Sequence, residues 1–365
     1  MRLLLCGGGT VGHISPAIAV AEELKKSYPD SDILFVGREG GRENEAIEKR
    51  GFKIKTIKIE GLKRSLSIDN VRRIFKAFEA RGVAHKIIKE FNPDVILGTG
   101  GYVCWPIISA GSKMKIPIAI HESNITPGLT TKLLSGKCDR IFLNHTTTRK
   151  YIKNRSHAVT VGNPLINDFG KISRTEARRK MGVSPSDFLI LSFGGSIGSE
   201  QMNRTIIEMM DNFSSKESYV KHVHATGTRY FKTMKSEYSN GEKNGCKIMP
   251  YITNMPVALS SADVVICRCG AMTLSELCAV GVPAILIPSP NVSDNHQYKN
   301  ARWLTDHDAA ELIEEKNLTS GALIEAIIRL KSDKNKRKTM AKNIRSLHRP
   351  DSAKKIINEL FIIKK

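Results

Sequence analysis

The chain has 365 residues, room for two domains at roughly 150 residues each. Hydrophobic residues at 41% and charged residues at 25% make an ordinary globular balance and exclude a disordered or fibrous chain. Lysine and arginine number 57 against 36 acidic residues; the formal net charge of +21 calls for an anionic partner, whether nucleic acid, a phosphorylated substrate or an acidic membrane surface.

Short apolar runs alternate with amphipathic segments along almost the whole chain. In the first half, strands are predicted at Leu3–Cys6, Ile33–Val36, Lys53–Ile59, Val95–Leu97, Ile116–Ile120, Arg140–Leu143 and Val159–Val161, with helices between them such as Pro16–Lys26, Ile68–Glu90 and Thr130–Leu134. The same order restarts at Phe188–Phe193 and continues through Tyr219–His224, Lys247–Met249, Val264–Ile266 and Ala284–Ile287. Such alternation predicts an α/β fold of two Rossmann-like domains, each a parallel sheet covered on both faces, facing each other across a central cleft. The stretch from Asn163-Pro164 to Arg174 lacks an apolar period and reads as the hinge. The expected division is 1–163, 164–345 and a C-terminal helical segment, 346–365, whose final helix Ser352–Ile363 must pack on a domain that the sequence does not name.

Two basic concentrations stand out, Leu62–Glu90 and Lys331–Arg349; a solvated helix face is the plain alternative for each. The seven cysteines are scattered and form no pair of Cys-x-x-Cys units, so buried, reduced thiols are expected rather than a zinc site. The apolar run at Met1–Gly7 is too short for a signal peptide, and no run approaches the ~20 residues that span a bilayer. If the protein works on a membrane, it lies on one.

The chemistry concentrates where strands end. Gly7, Gly9 and Gly12 satisfy G-x-G-x-x-G after the first strand, but Gly37-Arg38-Glu39 lacks the acidic residue at the second strand end that a nicotinamide dinucleotide wants, so an oxidoreductase reading rests on glycines that a tight strand-to-helix turn also needs. His13, at the mouth of that loop, has the ring best suited to general base work near neutral pH; a structural histidine is the competing reading. Gly98–Tyr102 and His121-Glu122-Ser123-Asn124 also follow strands and point to the same cleft. In the second half, Gly194-Gly195-Ser196 and a helix starting near Ala271 supply free amides, suited together to a diphosphate. Glu276, one turn into that helix, can accept both hydroxyls of a ribose, and Asn295-His296-Gln297 offers neutral groups for a sugar; a helix-start charge and a polar cap are the alternatives. No Asp-x-Asp at a strand end and no His-x-x-x-His on a helix indicates a metal.

Taken in order, Gly8–His13, Gly98–Val103, His121–Gly128, Gly162-Asn163-Pro164, Gly194–Gly198, Gly270–Glu276, Ile287–Ala301 and Pro350-Asp351 make the chain resemble the MurG family, the UDP-N-acetylglucosamine:lipid I N-acetylglucosaminyltransferases of bacterial peptidoglycan synthesis. The resemblance implies a GT-B fold and an inverting hexosyltransferase without metal or cofactor, serving cell-wall biogenesis and through it cell shape and division. Its substrates would be UDP-N-acetylglucosamine, bound by the second domain, and lipid I, bound by the first. It implies donor contacts from Thr10, Val11, Gly12, Asn124, Ser196, Ile252 (through its backbone, to uracil), Arg268, Ala271, Met272, Thr273, Leu274, Ser275, Glu276, His296 and Gln297. Gly12, His13, Gly101, Tyr102 and Asn124 would meet the acceptor; His13 would be the base, with Glu122 as second candidate. It also implies peripheral attachment to the cytoplasmic face of the plasma membrane, with the Leu62–Glu90 segment on anionic lipid, other cell-wall synthesis proteins as partners, and no nucleic acid.

Four positions depart from the family pattern: Val11 for a glycine, Ile197 for glutamine or arginine, Leu165-Ile166 where an arginine usually follows Asn-Pro, and Ser123 for glutamine. A related enzyme with another lipid acceptor, such as a diacylglycerol glycosyltransferase, would share the second-domain motifs and differ in the first. A catalytically weak scaffold paralogue would draw on Val11.

Overall fold

The computed structural model of the chain describes every residue except 10, 42–43, 62–67, 167–168, 239–244 and 365, and only the backbone of 11 and 68–75. The chain divides into two compact units, Met1–Ile166 with Arg349–Lys365, and Asn167–His348.

The first unit runs β1 (Arg2–Cys6), α1 (Val11–Ser27), β2 (Asp32–Arg38), α2 (Asn44–Glu48), β3 (Lys53–Ile57), α3 (Ile68–Phe91), β4 (Val95–Gly98), α4 (Cys104–Lys113), β5 (Ile118–Glu122), α5 (Leu129–Leu134), β6 (Arg140–Leu143) and β7 (Ala158–Thr160). The strands form one parallel sheet in the order β3-β2-β1-β4-β5-β6-β7. Leu3 and Leu5 face one core and Leu4 and Cys6 the other, which is why these strands read as continuous apolar runs.

The second unit runs α6 (Arg174–Met181), β8 (Phe188–Phe193), α7 (Glu200–Met209), β9 (Val220–Ala225), α8 (Phe231–Glu237), β10 (Cys246–Met249), α9 (Met255–Ser261), β11 (Val264–Cys267), α10 (Ala271–Val280), β12 (Ala284–Leu286), α11 (His296–Thr305), β13 (Glu311–Leu312), α12 (Ser320–Ser332) and α13 (Lys334–Ser346). Its sheet is again parallel, in the order β10-β9-β8-β11-β12-β13. All seven cysteines are buried and unpaired.

The last helix, α14 (Ser352–Ile363), belongs to the first unit. Ile356, Ile357 and Leu360 are buried in one cluster with Ile14 and Ile18 of α1, Phe361 meets Tyr28 at 4.7 Å between ring centroids, and Glu359 pairs with Arg140 at 2.8 Å. Fully burying each aliphatic side chain contributes about 1.5–3 kcal/mol, so this contact fixes the helix where its apolar stripe alone did not say it would go.

Two boundaries differ from the sequence reading in ways that move site residues. β5 begins at Ile118 rather than Ile116, because Lys115 turns left-handed (φ 57°) after α4 and Pro117 cannot donate to a ladder. At the other end the strand runs two residues further, because His121 and Glu122 pair with Phe142 and Leu143 of β6. α1 begins at Val11 rather than Pro16, which places His13 in the helix's first turn and Pro16 inside it.

Candidate active site

In the first unit the loops after β1, β4 and β5 emerge side by side at the carboxyl edge, with the reversal of strand order between β1 and β4. Ligands of open α/β sheets bind at such switch points. Cys6 leads into Gly7-Gly8-Gly9, and Gly98 into Thr99-Gly100-Gly101-Tyr102. The two loops touch so closely that side chains are excluded. A Cβ on Gly101 (φ 82°) would lie 1.9 Å from the Gly8 carbonyl oxygen, and one on Gly100 (φ 109°) would lie 2.9 Å from the His13 ring. His13, half-buried, has Nδ1 3.2 Å from that same Gly8 oxygen. The tautomer that donates from Nδ1 to the carbonyl carries its lone pair on Nε2, the form a general base needs. Tyr102 lays its ring against Gly9 and Gly61. Gly12 is in the first turn of α1, Thr10 lies outside the described residues, and of Val11 only the backbone is described.

Glu122, the second candidate for the base, is already committed within the protein. Its carboxylate is buried and fully engaged: Oε1 accepts from the Asn124 backbone N–H (3.0 Å) and side-chain amide (3.1 Å), and Oε2 from the Gly128 N–H (3.1 Å) and Thr131 hydroxyl (2.7 Å). It organises the 123–128 loop and fixes the amide of Asn124. His121, also buried, has Nε2 3.0 Å from the Gly162 carbonyl, and burial lowers its pKa.

In the second unit the switch point falls between β8 and β11, so the 194–199 loop and the start of α10 are neighbours. Gly195 (φ 90°) and Gly198 (φ 83°) turn the loop and leave Ser196 exposed. A Cβ on Gly198 would lie 2.0 Å from the Thr226 carbonyl oxygen, which the buried Asn203 side chain holds at 2.8 Å. The sequence reading missed Thr226 and Asn203; neither falls in a glycine loop. α10 starts at Ala271 behind the extended N-cap Gly270, and Met272, Thr273, Leu274 and Ser275 complete its opening turn. The positive end of the helix dipole suits an anion there.

Glu276 is the unusual group in this helix. It is half-buried and has no hydrogen-bond or ion-pair partner among the described residues, and burial pushes its carboxyl up to about 8. Ile252, in the loop after β10, likewise has a backbone N–H and C=O without partners among the described residues, although its side chain is buried. Gln297 turns its Oε1 to two backbone amides, Cys269 (3.2 Å) and Ser289 (2.9 Å), which fixes the amide and leaves Nε2 as the outward donor. His296 has Nδ1 2.8 Å from the Ser293 carbonyl oxygen, behind Asp294 and Asn295, both left-handed.

Arg268, expected among the donor contacts, follows β11. It is buried, paired with Glu315, and donates to the Ser199 hydroxyl and to the Ile287 carbonyl (3.3 Å). These contacts make it a tie between loops at the edge of the nucleotide-sugar motifs. Among the described residues no group of three His, Cys, Asp or Glu side chains is placed to hold a metal ion.

Two family descriptions match: the glycosyltransferase family 28 N-terminal domain over residues 3–143 and the C-terminal domain of the same family over residues 189–356. The chain belongs to glycosyltransferase family 28. It is 42% identical over 347 residues, 95% of this chain and 94% of the other, to a protein of Acetivibrio thermocellus named UDP-N-acetylglucosamine--N-acetylmuramyl-(pentapeptide) pyrophosphoryl-undecaprenol N-acetylglucosamine transferase. A protein of the same name from Caldanaerobacter subterraneus is 41% identical, covering 98% of each chain. The crystal structure of Acinetobacter baumannii MurG superposes with a TM-score of 0.77 at 24% identity, covering 99% of each chain. The family 28 fold, GT-B with two Rossmann-like domains, is therefore the fold expected from the sequence, and Glu276 and Ile252 lie in its C-terminal domain.

Proposed function

We propose that the chain transfers N-acetylglucosamine from UDP-N-acetylglucosamine to the C4 hydroxyl of the N-acetylmuramyl sugar of lipid I, with inversion. The observation that carries this reading is the 42% identity, over 95% of the chain, to a protein named for that transfer. The residues supply a consistent chemistry. The 194–199 loop and the α10 start hold the diphosphate, Glu276 accepts the ribose hydroxyls, the Ile252 backbone pairs with uracil, and Gln297, with His296 beside it, donates to the sugar. His13 takes the proton from the C4 hydroxyl as the new bond to the anomeric carbon forms. The bond from that carbon to the diphosphate breaks, and UDP leaves with the electron pair. Charge on the departing diphosphate is met by preorganised amides, so no metal is required in this scheme. Gly12, Gly101, Tyr102 and Asn124 belong to the acceptor side.

Attachment to an anionic membrane surface is part of the proposal. No helix among the described residues is long and apolar enough to cross a membrane. Phe78 and Val83 on α3, and Leu129 and Leu133 on α5, are exposed at 46–60%. Phe78 and Val83 fall within the basic Leu62–Glu90 segment, where a well-placed cation contributes about 1 kcal/mol on anionic lipid. The cytoplasmic leaflet, where UDP-sugars are found, is the surface proposed.

The test is UDP release with a lipid I analogue and UDP-N-acetylglucosamine in excess EDTA, comparing wild type with His13→Ala. Acceptor-dependent turnover that survives EDTA and collapses in the variant is expected. Folded wild type that binds the donor and turns over with no lipid I analogue would overturn the acceptor assignment.

A further inference from the structure

A cavity of about 760 Å³ opens at the amino ends of β8, β9, β11 and β12, where Asp187, Tyr219, Asp263 and Pro283 precede the strands. It lies at the opposite edge of the sheet from the 194–199 loop. The six residues of β8 alone separate the two edges by about 20 Å at ~3.3 Å per residue.

Its walls are of two kinds. Phe188, Leu259, Val280 and Val282 make an apolar floor, and Tyr219, 67% exposed, stands at the edge. Arg174, Lys331, Lys334, Arg337 and Lys338 line the rest, against the carboxylates Asp187 and Asp263. Those carboxylates are committed. Asp263 is shared between Arg174 (2.7 Å) and Arg178 (3.1 Å), and Asp187 accepts the Ser184 N–H at 2.9 Å. Lys331 pairs with Glu217 outside the cavity at 2.8 Å.

Three cations are left over. Lys334, Arg337 and Lys338 stand at i, i+3 and i+4, one face of α13. Neither lysine has a carboxylate partner among the described residues. Among the described residues the Arg337 guanidinium donates to the carbonyls of Leu330 and Lys331 alone, and it lies over the Phe188 ring at 5.3 Å. Burial pushes the Arg174 guanidinium below its ordinary value, and the like charges of Arg178 and Arg337 add to that shift. Like charges gathered in a concavity raise a positive potential that an anion relieves. The volume falls in the ~300–1,000 Å³ range of small-molecule sites, too large for a bare ion alone.

We propose that this cavity binds a phosphorylated ligand with an apolar portion, its phosphate on the Lys334–Arg337–Lys338 face and its apolar part on the Phe188–Val282 floor. The site is separate from the nucleotide-sugar loops and uses cations that the transfer reaction does not. The phosphate could come from a soluble metabolite or from a phospholipid headgroup, and the experiment separates the two.

Inorganic pyrophosphate is titrated calorimetrically into the full chain in excess UDP, with wild type and a Lys334→Glu/Lys338→Glu variant compared. Both lysines are exposed, so the fold should survive; Lys334→Gln/Lys338→Gln replaces the pair should the reversal lower Tm. Expected is one pyrophosphate per wild-type chain, with at least tenfold weaker binding in the variant and unchanged UDP affinity. Because the reading is a difference between two chains, it holds whether or not UDP occupies the other site. Phosphatidylglycerol vesicles form the second arm. Sedimentation that weakens in the variant and is competed by pyrophosphate assigns a headgroup; equal sedimentation of both chains, with pyrophosphate binding still lost in the variant, assigns a soluble ligand. Pyrophosphate binding that is absent, or equal in the two chains, overturns the proposal.

Discussion

The Arg268 guanidinium is ion-paired with Glu315, 47 positions away in sequence, and bonds the Ser199 hydroxyl and the Ile287 carbonyl from the same fork. One side chain thus ties the end of β11 to the 194–199 loop, to the end of β12 and to the turn after β13. Removing one partner of a buried pair strands the other charge at a cost of about 3–5 kcal/mol, at the lower end here because both side chains keep some contact with water, at 10% and 12% exposure. Glu315→Ala should therefore lower stability by about 3 kcal/mol in a denaturant titration. Arg268→Lys keeps the charge and loses the fork. It should raise the KM for the nucleotide sugar roughly tenfold with little change in kcat, the split expected of a residue that positions a loop.

Glu276 makes pH an instrument. Its carboxyl holds its proton up to about 8 in the folded chain, against an ordinary value of 4.5. With the folded value raised, this group's contribution to stability is complete below pH 4.5 and is lost as pH rises through about 8. Glu276→Gln should flatten that decline, so that its Tm exceeds wild type at pH 8.5 and matches it at pH 5. Ribose hydroxyls bond the ionised form better, so UDP affinity should rise about tenfold from pH 6.5 to 8.5 in wild type and stay flat in the variant. Calorimetry at the two pH values decides it.

The sheets were legible because both faces of each are covered. Phe188–Phe193 and Arg140–Leu143 are apolar runs whose observed bounds match those read from sequence. The glycine loops were legible too, since Gly100, Gly101 and Gly198 occupy backbone geometry or space that a side chain cannot. What escaped were relationships over distance. β13 is two residues long and carries no period, so the Glu315 turn behind it, and with it the Arg268–Glu315 pair, gave no signal. Pro117 moved the start of β5 by two residues, and pairing with Phe142 and Leu143 of β6 kept His121 and Glu122 in the strand. The packing partner of α14 depended on where the sheet placed α1, which periodicity cannot express.

The same shift makes Glu122 testable. Glutamine in its place keeps one acceptor oxygen and turns an NH₂ group toward donors already present, either those of Asn124 or those of Gly128 and Thr131. Leaving buried donors unmatched costs about 1–3 kcal/mol. Glu122→Gln should lose that much stability, yet retain the wild-type shape of the kcat–pH profile. An acidic limb that disappears in the variant would restore Glu122 as the base.

Gly101 and His13 should fail together. An alanine Cβ at Gly101 would have to displace the Gly8 carbonyl, 1.9 Å away, and that carbonyl is the one His13 Nδ1 approaches at 3.2 Å. The left-handed backbone at Gly101 (φ 82°) adds strain for any side chain. His13→Ala should lower kcat by about 10²–10⁴-fold, the usual contribution of a positioned general base, with UDP affinity unchanged. Gly101→Ala should lower kcat in the same direction through the misplaced ring, and the double variant should be little worse than His13→Ala alone. Fully additive losses in the double variant would mean that the glycine serves acceptor binding independently of the histidine.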